Sequence, residues 1–165
     1  MVDEWTQERG KVPGVESSTG GFSNGCKSMR FRTAALTLDS MIRKLGASSA
    51  QVKEWVQAQD KAFDDCSSST SGSPAPTPPA DIPPPLTDGT PFERAQRNYQ
   101  IAAATFYSGD FDAAGKMFEA IAADPSSPWH ELASYLAVRA MIGKATSSAA
   151  TNDHAILAQA EARLN

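Results

Sequence analysis

Apolar and polar positions along this chain fall into two patterned stretches separated by one that has no pattern. From Met29, the residues Phe31, Ala34, Ala35, Leu38, Ile42 and Leu45 recur at helical spacing and form one stripe. Ser28 stands where an N-cap would, and Gly46 supplies the left-handed stop favoured just past a helix C-terminus. A second stripe, Val52, Trp55, Val56 and Phe63, begins at once behind Ser48 and Gln51, which have capping-box spacing. Two amphipathic helices joined by so short a turn must pack antiparallel, so residues 28–66 are predicted to be a helical hairpin. Residues 1–27 have no sustained periodicity and are expected to be irregular, with Trp5 unplaced.

The second patterned stretch, residues 91–165, opens on Thr90-Pro91-Phe92-Glu93: an N-cap, a proline at the first helical position and a glutamate three residues on. Ala95, Tyr99, Ala102 and Phe106 then share a face until Gly109-Asp110 breaks the helix. Phe111, Ala114, Phe118, Ile121 and Ala122 stripe the next helix, which Asp124-Pro125 ends. Ser127-Pro128 starts a third, with Trp129, Leu132, Ala133, Leu136 and Ala140. Beyond a loop at 146–152, Asp153 can cap a short fourth helix carrying Leu157, Ala160 and Leu164. The fold class is all-α.

Between the two lies SSSTSGSPAPTPPADIPPPLTDGT, residues 67–90, with seven prolines and little apolar content. Such a segment cannot bury enough surface to offset its ordering entropy, and a disordered, polyproline-biased linker is expected. Pro76 and Pro79 have the PxxP spacing of SH3 ligands, but no basic residue flanks them, so a plain spacer is the preferred reading.

Small and aromatic residues alternate through Asn98–Pro125, which resembles the tetratricopeptide-repeat (TPR) family. Ile101-Ala102 is similar to the family's Leu-Gly pair, Gly109-Asp110-Phe111 to its inter-helix turn, and Ala114, Phe118 and Pro125 to its second-helix signature. Trp129, Leu132, Ala133 and Leu136 match the first-helix pattern of another repeat. Ile101 and Leu132 are 31 residues apart, against about 34 in the family. Asn98 stands where the family has Trp, and the resemblance covers fewer than half of the residues. It implies antiparallel helix pairs whose first helices line a groove for a peptide or helix. Gln96, Tyr99, Ala103, His130 and Ser134 would then lie groove-side; for Tyr99 ordinary core packing is the favoured alternative. Since about three repeats are usually needed to bury the apolar faces, additional repeats, self-association or another partner are expected. The same stretch also resembles segments of large exported proteins of Gram-negative bacteria, a similarity that implies no reaction.

Charge changes the picture only by exclusion. There are 19 acids against 15 bases, spread evenly: nine of each in residues 1–66, and eight acids with six bases in 91–165. Neither a nucleic-acid footprint nor a polybasic membrane patch is present in that distribution. No apolar run reaches the roughly 18–20 residues of a membrane span, so none is expected. The opening MVDEWTQERG lacks the basic start and apolar stretch of a signal peptide. That points to the cytoplasm, or, if the chain is part of a longer exported one, to the periplasm.

Cys26 and Cys66 bracket the hairpin almost symmetrically about its turn, so antiparallel packing brings both thiols to the open end. A disulfide there would stabilise the hairpin by about 4 kcal/mol through the unfolded chain. It is preferred over two free thiols because so thin a core needs a staple.

Chemical motifs are sparse. Gly21-Phe22-Ser23-Asn24-Gly25 fits the G-x-S-x-G string, but a nucleophile elbow at Ser23 needs a strand before it and a large α/β sheet around it. His130-Glu131 begins like H-E-x-x-H, with Ser134 where the second histidine belongs. Asp64-Asp65 and Asp110/Asp112 lack the regular oxygen spacing of a calcium loop. With two histidines in the chain, no metal and no cofactor are expected. The leading expectation is a non-catalytic module that binds a protein or peptide. The alternative is a structural fragment of a larger exported helical-repeat protein with no binding role of its own, and a hydrolase using Ser23 comes last.

Overall fold

The computed structural model describes residues 2–15, 28–68, 82–147 and 153–164, without the side chains of 2, 28–30, 64–68 and 164. Among the described residues there are seven α-helices and no strand, and the chain divides into two compact units at Asp81/Ile82. The all-α class expected from the periodicities holds.

The N-terminal unit has three helices: α1 (Val2–Arg9), α2 (Ser28–Leu45) and α3 (Ala50–Ser68). The stripe predicted for α2 is buried at Phe31, Ala34, Ala35 and Leu38, and that of α3 at Val52, Trp55, Val56 and Phe63. Gly46 takes the left-handed conformation (φ 85°) with its N–H donating to the Ile42 carbonyl (2.9 Å). The cap of α3 is Ser49 rather than Ser48, its Oγ accepting from the Val52 N–H at 3.2 Å.

Residues 2–9, expected to be irregular, are helical. Asp3 and Glu4 in the first turn and Arg9 in the last suit the helix macrodipole, but tertiary contacts decide the matter. Trp5 is fully buried, edge-on to Phe63 (centroids 5.5 Å apart) and to Trp55 (6.3 Å). The Arg9 guanidinium makes a bidentate bond to the Asp60 carboxylate on α3, Nε to Oδ1 at 3.0 Å and Nη2 to Oδ2 at 2.7 Å. The N-terminal lobe is therefore a three-helix unit, not a hairpin with a loose tail. Cys26 and the side chain of Cys66 lie outside the described residues, among which no disulfide is seen.

The C-terminal unit holds α4 (Pro91–Tyr107), α5 (Phe111–Ala122), α6 (His130–Ser147) and α7 (His154–Leu164). Its start is set by the capping box. Glu93 N–H donates to Thr90 Oγ1 (3.3 Å), and Thr90 N–H donates to Glu93 Oε2 (2.6 Å). Asp110 and Asp153 cap α5 and α7 through their Oδ1 atoms. The interior gathers Ala102, Ala114, Phe118, Ile121, Ala133 and Ala137, with Tyr99, Phe106 and Trp129 packed against it. Small residues let α5 and α6 approach closely. A Cβ on Gly143 would stand 2.7 Å from two ring carbons of Phe111, so any side chain there has to displace that ring.

Residues 82–90, expected to belong to the linker, are part of this unit. Pro83 is buried, and the Pro84 carbonyl accepts from Arg97 Nη1 at 3.0 Å. A proline-rich strip can pack this way because its rings are apolar and its carbonyls remain free as acceptors. Residues 69–81, including Pro76 and Pro79, lie outside the described residues.

Candidate functional site

Side-chain pairings define the relative direction of the helices in the C-terminal unit. Tyr99 of α4 stacks on Trp129, just before α6, with centroids 3.9 Å apart and planes 11° from parallel. Further along both helices, the Arg139 guanidinium of α6 lies 5.9 Å from the Phe106 ring centroid of α4. α4 and α6 thus run side by side in the same direction. α5 packs against both, and α7 follows against α6.

This arrangement separates the sequence-predicted groove residues. Gln96 is 3% exposed, and its side-chain oxygen accepts from the Trp129 indole N–H at 3.1 Å. Tyr99 is held between Trp129 and Phe118. Burial, with the neighbouring Tyr107 adding to it, pushes the Tyr99 hydroxyl well above the usual phenol range. Both residues point into the packing between helices, as the core alternative for Tyr99 anticipated. Ala103 is half-buried, one turn before Tyr107. His130 is half-buried at the start of α6 with its Nδ1 unbonded, and exposed Ser134 returns its hydroxyl to the His130 carbonyl (3.1 Å). Gln96 and Tyr99 come together around Trp129, whereas Ser134 does not join them. Ser23 lies outside the described residues, and among those described no three His, Cys, Asp or Glu side chains cluster as metal ligands would.

Two open surfaces of the C-terminal unit bear on binding. One is a groove of about 490 Å³ along α4 and α5, lined by Ala95, Ile101, Met117 and Ile121 with Asn98 and Asp124 among its polar members. The Asp124 carboxyl is committed to its own turn. It accepts the Ser126 hydroxyl (2.6 Å) and N–H (2.9 Å), which hold it below the usual carboxylate range, with His130 contributing less.

The other surface is a strip of α6: Glu131, Tyr135, Arg139 and Ile142, spaced by four, four and three residues and hence on one helix face. Tyr135 is 50% exposed and Ile142 37%. Arg139 bridges this strip to α4, lying near both the Phe106 ring and the Tyr135 ring (6.0 Å). Sequence periodicity missed it because apolar residues occur all around α6. The one available signal was the tyrosine-to-arginine spacing of four, a helical neighbour pair.

No protein-family model matches this chain, and neither does any curated protein or solved structure.

Proposed function

We propose that the C-terminal unit is a non-catalytic protein–protein interaction module of TPR-like type, and that its partner contacts the face formed by the α6 strip and the adjoining Phe106 of α4. The observation that carries this reading is the exposure of Tyr135 and Ile142 on one face, in a unit whose other described Phe, Tyr and Trp rings are buried or half-buried. Aromatic residues and arginine are the side chains most enriched where protein surfaces bind each other. The same-direction packing of α4 and α6 agrees with the resemblance to tetratricopeptide repeats.

A second reading rests on the groove along α4 and α5. Asn98 and Ile101, which line it, correspond at the 31-residue offset to Trp129 and Leu132, and α6 rests on α4 through Trp129. A further helix seated there would make this chain one section of a longer helical stack. Photo-reactive benzoylphenylalanine placed at position 135 or at position 120 distinguishes the two in the cells that make the protein. The interaction-face reading expects a defined protein adduct from position 135. Adducts from position 120 alone would replace it with the stack.

A further inference from the structure

The C-terminal unit contains four arginines, and three are spent on acceptors within it. Arg94 donates to the Gly89 carbonyl, Arg97 to the Pro84 carbonyl and Arg163 to the Glu119 carboxylate. Arg139 alone among them has no oxygen acceptor among the described residues. Its guanidinium is set instead by two rings, 5.9 Å from the Phe106 centroid and 6.0 Å from that of Tyr135. Rings hold a guanidinium by its π face, which leaves the in-plane N–H fork unspent, the geometry that matches a carboxylate.

The surroundings add polarity. Tyr135, one turn earlier on the same strip, is half exposed, and Ile142, one turn later, offers apolar surface. Glu131 is the acid that shares the strip. It lies eight residues before Arg139, which is about 12 Å along the helix axis, too far to neutralise it. A ligand lying along the strip therefore meets, in order, a negative charge, an aromatic ring, a positive charge and an aliphatic patch.

We infer that the partner of this face is an acidic peptide segment in which a Glu or Asp side chain binds Arg139 and a neighbouring aliphatic or aromatic residue packs on Ile142 or Tyr135. The inference rests on the interaction-face reading and names the chemistry of what binds there. The occupant follows from charge complementarity: a positioned cation without a counterion, flanked by apolar surface, favours an acid beside an apolar residue over a basic or neutral segment.

The test is a selection of random 12-residue peptides displayed on phage, carried out on the whole chain. Chosen peptides are then titrated against wild type, Arg139→Gln and Tyr135→Ala. Peptides enriched in an acid next to an apolar residue are expected, binding at least about tenfold more weakly to Arg139→Gln and to the partner peptide with its acid amidated. Their affinity should also fall as salt is raised. Selected peptides that lose affinity with Tyr135→Ala but are neutral or basic, or indifferent to Arg139→Gln, overturn the acidic partner and leave the face standing. Peptides indifferent to both substitutions, or no enrichment at all, overturn the face as well.

Discussion

The N-terminal unit gathers several rings in its interior, whereas the C-terminal unit sets one buried ring, Phe118, among alanine methyl groups. Trp5, Phe31, Trp55 and Phe63 meet in the first, and each helix contributes at least one large side chain. In the second, Phe118 is a buried ring, but most of the buried apolar positions are alanines, among them Ala102, Ala114, Ala133, Ala140, Ala145 and Ala160, with the rings of Tyr99, Phe106 and Trp129 left at the margins. These are different solutions to helix packing. A ring core draws much of its stability from a few large side chains and can recruit a helix as short as α1. An alanine core needs close backbones, spreads the gain over many small contacts and tolerates an added atom only where the facing helix leaves room for it.

The sharpest way to break the contrast is Trp5→Ala. Removing a fully buried indole should cost about 3–5 kcal/mol of unfolding free energy, read from denaturant titration. A loss below about 1 kcal/mol would mean that α1 is an ornament on a hairpin. Gly143→Ala tests the other core by addition. Its methyl meets the Phe111 ring at 2.7 Å, so a loss of about 2–3 kcal/mol is expected in thermal melts, relieved by pairing it with Phe111→Leu. Gly115→Ala is the control, because its Cβ would meet only the Ala140 methyl, at 3.6 Å. The better helix former should leave stability unchanged or raise it by about 0.5–1 kcal/mol. Asp60→Asn should cost about 2 kcal/mol, since the Arg9–Asp60 pair is only 12% exposed at each side chain and loses charge-assisted bonds.

The smallest effect concerns pH. Tyr99 is raised in the folded state, so its contribution is fully present below the ordinary phenol value of 10.0 and is lost as pH climbs from there towards the folded value. Alkaline denaturation followed by phenolate absorbance should therefore show a loss of stability above that pH. Tyr99→Phe should remove this component, and an unchanged alkaline profile would contradict the burial assigned to Tyr99.

Much of the fold was legible because local signals agreed with packing. The Thr90–Glu93 box, the Gly46 stop and the Asp153 cap all operate as their spacing implied. α1 was not legible because VDEWTQER offers one large apolar residue, and no period can be read from a single knob. Its helix exists because it packs on α2 and because Trp5 and Arg9 find partners on α3, far along the chain. The strip at 82–86 was hidden by composition: proline richness signals low ordering gain in general, yet here Pro83 is buried and Pro84 accepts from Arg97. The site was least legible. Gln96 and Tyr99 turn inward because Trp129 lies against them, a pairing across 33 residues for Gln96. The exposure of Tyr135 depends on which side of α6 the other helices cover.

The Arg9–Asp60 clasp also sets an order of events during synthesis. Helix α1 leaves the ribosome before α2 and α3, but its binding site includes Asp60 and Phe63, which emerge only after α2 and most of α3 have been made. Until then α1 has only α2 to pack on, and the ring and carboxylate partners of Trp5 and Arg9 on α3 are missing. Within this unit the nascent chain therefore closes the contacts between its first and third helices last.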